Sequence, residues 1–188
     1  AINAAAEDPA VKFIYLTPDM ATGGLAQIEE FRKALKRFRE TSGKAIVSYI
    51  ENPTNAGYYL ASVADKVYMT SLDGGLSMFN GISSQMIFLK DVLDRLGINM
   101  QLIRHGRYKS AGEMYVRNSS SKENLEQNTA MVNSMWDSWA TEIAASREIT
   151  TDRLNALLNN LELNFPSDWM EHGLVDELYT REKLDRQL

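Results

Sequence analysis

Cysteine is absent from this sequence of 188 residues, and histidine occurs only twice, as His105 and His172. The lack of cysteine excludes disulfides and thiolate metal sites. Two imidazoles are too few for a typical zinc site. The sequence therefore gives no indication of a bound metal.

The sequence also lacks a long apolar run and an excess of basic residues. No apolar run approaches the ~18 residues that cross a bilayer. The formal net charge is −5, whereas a non-specific nucleic-acid binder needs a basic face to neutralise phosphates. We therefore expect no nucleic-acid partner. The chain begins at Ala1 without an initiator Met or a targeting segment, so we interpret it as a fragment of a longer protein.

What is present is typical of a globular α/β chain. Hydrophobic residues make up 44% and charged residues 24%, which is enough for a buried core. Short apolar runs predict strands at 11–16, 45–50 and 66–70, and helical spacing predicts helices at 25–40 and 56–64. Alternating strands and helices predict a mostly parallel sheet with right-handed crossovers.

The helix at 25–40 should have one apolar and one charged face. We expect the charged residues from Glu29 to Arg37, including Arg32, to form its solvated face. The apolar stripe comprises Leu25, Ile28, Phe31, Leu35 and Phe38.

The middle of the chain is less regular. Residues 76–84 read as either a weak strand or an irregular segment, 88–96 as a helix, and 98–104 alternate well enough for another strand. We expect residues 107–121 to be polar and irregular.

The C-terminal third is helical in pattern. It predicts a long helix at 122–147, then helices from Thr150 or Thr151 to 161, at 166–172 and at 180–188. We expect one domain over 1–188, with an α/β core at 1–121 and a helical part at 122–188. Such a surplus of amphipathic helix favours contacts between subunits. The predicted buried stripe of the long helix is Leu125, Val132, Met135, Trp136, Trp139 and Ile143.

Four stretches occur in an order that resembles a known family. They are Gly23-Gly24 before a helix, GYYLASVADKVY at 57–68, GRYKSA at 106–111, and WMEHGLVD at 169–176. In series they resemble the signal peptide peptidase A (protease IV) family. That resemblance implies a Clp protease/crotonase-like fold, with repeated β-β-α units, a mostly parallel sheet and a helical C-terminal part.

The resemblance also implies roles for individual residues. Lys109, in the lysine motif, would be the general base of a Ser–Lys dyad, with Ser110 orienting its amine. Gly23 and Gly24 would offer backbone N–H groups to an oxyanion. Asn55 stands where single-domain relatives have the nucleophilic serine, so the isolated chain should be inactive.

The same resemblance implies the setting of the reaction. The chain looks like the N-terminal half of a duplicated protease, whose C-terminal half supplies the serine. Remnant signal peptides would be the substrates, at the extracytoplasmic side of a bacterial membrane. A segment outside this chain would anchor it, the protein would form a homo-oligomer, and no cofactor is implied.

A lysine base must be neutral to accept a proton. Burial against an apolar surface would favour the neutral amine of Lys109, as would the charges of Arg104 and Arg107 if they point toward it. A solvated loop lysine remains the alternative. Asn55 could be an ordinary turn residue and Gly23-Gly24 an ordinary turn. Ser62 reads as a buried residue bonded to backbone, and Ser83 and Ser84 lack the glycine-flanked turn of a nucleophile.

Two functions of other classes stay open. One is a crotonase-type acyl-CoA enzyme, for which Glu51 is the nearest candidate acid or base. The other is a non-catalytic assembly domain whose lysine has lost its role.

Overall fold

The computed structural model describes residues 1–75 and 77–188, which divide into two compact units. One unit comprises residues 1–81 and 139–188, and the other comprises residues 82–138. Leu76, the first residue of the predicted 76–84 segment, lies outside the described residues.

A four-stranded parallel sheet forms the centre of the first unit. Its strands are β1 Phe13–Leu16, β2 Ala45–Ile50, β3 Lys66–Met69 and β4 Glu177–Leu178, in the spatial order β1-β2-β3-β4. Every adjacent pair is parallel. The predicted α/β class with a parallel sheet is confirmed. The sequence did not predict β4, because two residues are too short to show alternation.

The helices that belong wholly to this unit are α1 Ile2–Glu7, α2 Leu25–Ser42, α3 Asn55–Ala61, α7 Thr151–Asn159, α8 Pro166–Glu171 and α9 Arg181–Asp185. Helices α2 and α3 connect successive strands. Helix α2 ends at Gly43, whose φ of 66° is left-handed and favours glycine. Threonine hydroxyls cap the starts of three helices, at Thr54, Thr150 and Thr180.

Aromatic side chains fill the core beside the sheet. The ring of Tyr58 lies 4.9 Å, centroid to centroid, from both Phe79 and Trp169. Its hydroxyl donates to the Leu174 carbonyl oxygen at 2.6 Å, which satisfies the polar end of a fully buried tyrosine. The motif at 57–68 thus supplies packing residues, and Gly57 allows α3 to approach Pro18 closely.

The predicted faces of α2 need correction. Arg32 is 4% exposed, whereas Leu25 and Phe31 are 36% and 40% exposed. Arg32 is buried because every part of its guanidinium has a partner. Nη1 donates to the Tyr59 carbonyl oxygen and to Ser62 Oγ, and Nε lies 3.0 Å from Glu142 Oε2.

The second unit contains α4 Lys90–Arg95, α5 Glu113–Val116 and part of α6 Lys122–Ser146, which contributes to both units. The strand predicted at 98–104 is wrong, because no described strand lies beside these residues and alternation alone cannot form a sheet. Helix α5 lies in the stretch predicted to be irregular.

The predicted stripe of α6 is only partly buried. Trp139 and Ile143 are buried, but Leu125 is 61% exposed. The other three stripe residues, Val132, Met135 and Trp136, are half-buried. Among the described residues, no helix combines the length and the apolar character needed to cross a membrane.

Candidate functional site

Lys109 lies in a loop before α5, within the unit of residues 82–138. Its side chain is exposed. Among the described residues, its Nζ makes no hydrogen bond or ion pair. The backbone around it is held: Arg104 Nη1 donates to the Lys109 carbonyl oxygen at 3.1 Å, and Glu113 N donates to the Ser110 carbonyl oxygen at 2.9 Å. The loop therefore presents an unpaired amine on a fixed backbone.

An open cavity of about 960 Å³ adjoins this loop. Lys109 and Ser110 line it beside apolar side chains that include Met86, Leu102 and Met114. Ser110 is half-buried, and its hydroxyl makes no hydrogen bond to another described residue. A cavity of this size, with an amine and a hydroxyl among apolar groups, is large enough for several side chains of a peptide.

Glu113 anchors the loop from within. Its side chain is fully buried, and Oε1 lies 2.7 Å from Arg104 Nη1. Oε2 accepts hydrogen bonds from Ser121 N at 3.0 Å and from Asn124 Nδ2 at 3.3 Å. Burial by itself raises the pKa of Glu113, but the bonds from Ser121 and Arg104 outweigh it and lower the pKa to about 2.

Two exposed contacts also join the loop to α6. Arg107 pairs with Glu123 at 3.0 Å, and the Tyr108 hydroxyl donates to Glu126 Oε2 at 3.4 Å. Exposed contacts of this kind contribute little to stability. Since Arg104 and Arg107 both pair with carboxylates, neither presents an uncompensated charge to Lys109.

Asn55 lies in the other unit, at the first position of α3 after the cap Thr54. Its Nδ2 donates to the Gly81 carbonyl oxygen at 2.7 Å, and its Oδ1 accepts from Asn80 N and Gly81 N, both at 3.1 Å. The Asn55 side chain thus holds the backbone of residues 80–81 with three hydrogen bonds. An ordinary turn residue would bond only to backbone near it in sequence.

Gly23 and Gly24 lie before α2 in the same unit as Asn55. The Gly24 N–H donates to Gln27 Oε1 at 2.9 Å. An oxyanion could use this donor only if the Gln27 side chain turned away. Gly23 has φ of 155°, and a Cβ there would lie 3.2 Å from Gln27 Oε1.

The structure thus brings Lys109 and Ser110 together in one unit, and Asn55, Gly23 and Gly24 belong to the other. Sequence reasoning missed the clamp by Asn55 and the anchor Glu113. An acidic residue four positions after the lysine was the only available signal for Glu113.

Ser62 is buried and its hydroxyl donates to the Tyr59 carbonyl oxygen at 3.0 Å, as predicted. No group of three or more carboxylate or histidine side chains in the described part of the chain could hold a metal ion.

Comparison with known proteins gives consistent matches. Residues 38–188 match the model of Peptidase family S49. Protease 4 of Haemophilus influenzae is 31% identical over 196 residues, covering 100% of this chain and 31% of that relative. Serine protease SPPA, chloroplastic, of Arabidopsis thaliana is 33% identical over 135 residues, covering 72% of this chain. The putative signal peptide peptidase SppA of Enterococcus faecium is 23% identical over 95% of this chain. The chain spans 31% and 20% of the lengths of the first two relatives.

Proposed function

This chain belongs to peptidase family S49, and we propose that it is the lysine-bearing part of a serine protease that works through a Ser–Lys dyad. Its fold is of the Clp protease and crotonase type, with a parallel sheet and a helical C-terminal part. One observation supports the proposal above the others. Lys109, in the stretch that resembles the family's lysine motif, has an unpaired, exposed amine on the wall of a large cavity.

In the proposed mechanism, the neutral amine of Lys109 accepts the proton of a serine hydroxyl. The serine oxygen attacks the scissile carbonyl carbon, and the peptide C–N bond breaks to leave an acyl-enzyme. The proton passes from the lysine to the departing amine. Lys109 then takes a proton from water, which attacks the ester carbonyl carbon. The ester C–O bond breaks, the acid is released, and the proton passes from Lys109 back to the serine oxygen. Because lysine accepts a proton only when neutral, the working complex must shield this amine from water.

The serine must come from outside this chain, because Asn55 takes the position that the nucleophile has in single-domain relatives. We propose that a second, serine-bearing half of the same protein supplies it and that the protein forms a homo-oligomer. Closure of that half over the loop would shield Lys109. No cofactor enters the mechanism.

We propose remnant signal peptides as the substrates, since the cavity beside Lys109 has an apolar wall and the Enterococcus relative is named a putative signal peptide peptidase. Such peptides lie in or at a bacterial membrane. We place the reaction at its extracytoplasmic side, with anchoring by a segment outside this chain. Membership of a peptidase family favours this function over acyl-CoA chemistry with Glu51.

The test is substitution of Lys109 in the full-length protein. We expect Lys109→Ala and Lys109→Arg each to lower proteolysis by about 10²-fold or more, the usual scale for a positioned base. Arginine keeps the charge but stays protonated, so it cannot accept the proton. Lys122→Arg, at an exposed position of α6, is the matched control and should retain activity. Full activity of the Lys109→Arg variant would contradict the proposal and leave the assembly-domain alternative.

A further inference from the structure

A single guanidinium group connects Lys109 to the buried part of its unit. Arg104 Nη1 donates both to the Lys109 carbonyl oxygen at 3.1 Å and to Glu113 Oε1 at 2.7 Å. Arg104 thus contacts both Lys109 and Glu113, the first residue of α5. Both bonds come from the one nitrogen Nη1, whose two hydrogens lie in the guanidinium plane, so the group constrains direction as well as distance.

The other end of this connection is buried and hydrogen-bonded. Glu113 is fully buried, and its second oxygen is held by the Ser121 amide and the Asn124 side chain at the start of α6. Ser121 Oγ in turn accepts from Asn124 N at 3.2 Å. A buried carboxylate that accepts three hydrogen bonds is costly to move, since displacement weakens the pairing of a buried charge.

Resting on the proposed role of Lys109 as base, we propose that Arg104 and Glu113 are positioning residues for its amine. Glu113 fixes the Arg104 guanidinium, and Arg104 fixes the peptide carbonyl of the residue whose side chain must reach the serine. The direction in which the side chain leaves the backbone sets the volume that its amine can reach, so a rotation of the peptide shifts that volume relative to the serine. A base must come within about 2.6–3.2 Å of its proton donor.

Arg104→Lys in the full-length protein is the informative variant. Lysine keeps the positive charge beside the buried Glu113, but its Nζ lies one bond nearer the backbone than Nη1 and its donors are not coplanar. It therefore cannot bridge Glu113 Oε1 and the Lys109 carbonyl oxygen in the same geometry. We expect kcat to fall by about 10- to 100-fold, because a misplacement of about 1 Å costs rates of this order. KM should change by less than about 2-fold, since the substrate-contacting groups remain. Glu113→Gln should likewise lower kcat and leave KM nearly unchanged.

Glu123→Gln is the matched control. It makes the same chemical change in a carboxylate that pairs with Arg107, another arginine of this loop, but this pair is exposed. We expect its kcat to stay within about 2-fold of the unchanged protein, because exposed pairs hold little structure. Circular dichroism confirms that each variant is folded. If Glu113→Gln does not fold, Arg104→Lys decides alone.

The outcomes separate this inference from the proposed function. Unchanged kcat in folded Arg104→Lys and Glu113→Gln variants, with activity still lost in Lys109→Ala, would overturn the positioning role only. A rise in KM without a fall in kcat would also overturn it, because that pattern belongs to substrate binding. Activity retained in Lys109→Ala would instead remove the proposed function itself.

Discussion

The guanidinium of Arg32 lies over the ring of Tyr59, with its central carbon 4.5 Å from the ring centroid. The same ring stacks on Trp139 at 4.3 Å with an angle of 7° between the planes. The Tyr59 hydroxyl donates to Glu142 Oε2 at 2.6 Å, and that oxygen also pairs with Arg32. Helices α2, α3 and α6 therefore meet at one buried guanidinium. Its charge pairs with Glu142 and its plane packs on the Tyr59 ring.

Replacing this cation should destabilise the fold. We expect Arg32→Met to lower the free energy of unfolding by about 3 kcal/mol, because it leaves Ser62, the Tyr59 carbonyl and Glu142 without their donor. Denaturant unfolding measures the loss. Arg37→Met, at an exposed position of the same helix, should change stability by less than about 0.5 kcal/mol. Equal effects of the two changes would contradict the assignment of Arg32 to the core.

Glu113 should make stability depend on pH in the acid range. Its pKa is about 2 in the folded protein against an ordinary value of 4.5. A lowered pKa means that its stabilisation is complete above pH 4.5 and disappears as the pH falls from 4.5 toward 2. The gap in unfolding free energy between the unchanged protein and Glu113→Gln should therefore shrink by about half or more between about pH 6 and pH 3.

Denaturant unfolding at the two pH values checks this expectation. Glu126→Gln, which removes an exposed carboxylate, should leave the pH dependence of the unchanged protein in place. A gap for Glu113→Gln that stayed constant with pH would show that Arg104 and Ser121 do not hold this carboxylate in its charged form.

Gly57 should tolerate no side chain. A Cβ at this position would lie 2.8 Å from the Pro18 carbonyl oxygen and 2.9 Å from Thr54 Oγ1. Because one of these atoms belongs to the backbone, Gly57→Ala should cost about 1–3 kcal/mol through overpacking. Gly24→Ala is the control, since the nearest atom to its Cβ is 3.8 Å away. Thermal unfolding distinguishes the two variants, and equal midpoints would speak against the close approach.

The isolated chain should not hydrolyse peptides or esters. Asn55 cannot act as an acyl acceptor, and its side chain is engaged with the backbone of residues 80–81. A serine-directed fluorophosphonate and a generic peptide ester should give neither labelling nor turnover. An active serine hydrolase in the same mixture shows that the probe works. Stoichiometric labelling of any serine in this chain would refute the expectation.

Self-association is expected from the exposed apolar side chains of the second unit. Ile103 is 96% exposed and Ile87 is 71% exposed, which is unfavourable in water. Sedimentation velocity should show a larger species growing with concentration in the micromolar range, and Ile103→Lys should weaken it. Leu161→Lys, at a residue 72% exposed in the other unit, should have less effect. A clean monomer at all concentrations that binds no hydrophobic dye would contradict this.

Sequence patterns predicted strands β1, β2 and β3 well, because each of them is a short apolar run bounded by turn residues. The same approach failed for residues 98–104, since a strand needs a neighbour and the pattern does not reveal one. It failed for Arg32 because charge suggests solvent, whereas burial depended on partners 27 to 114 positions away.

The sequence motif singles out Lys109, whose role as a base stays a prediction, but the motif does not indicate what surrounds it. Glu113 reads as one more polar residue in a polar stretch, and only the fold brings Arg104, Ser121 and Asn124 to it. Likewise, a side chain that clamps a backbone 25 and 26 residues away leaves no local signal at Asn55.

The clamp at Asn55 limits which side chains can stand at this position. A serine there would carry its donor and its acceptor on a single oxygen with a shorter reach. It could not span the Gly81 carbonyl oxygen and the two successive N–H groups that the separate amide nitrogen and oxygen of Asn55 contact. A serine would leave backbone groups of the half-buried Gly81 unpaired at about 1 kcal/mol, whereas the N–H of the exposed Asn80 can turn to water. A hydroxyl at position 55 would therefore loosen the attachment of the 80–81 backbone to α3. Other contacts would have to hold that backbone before this position could carry a serine without a loss of stability.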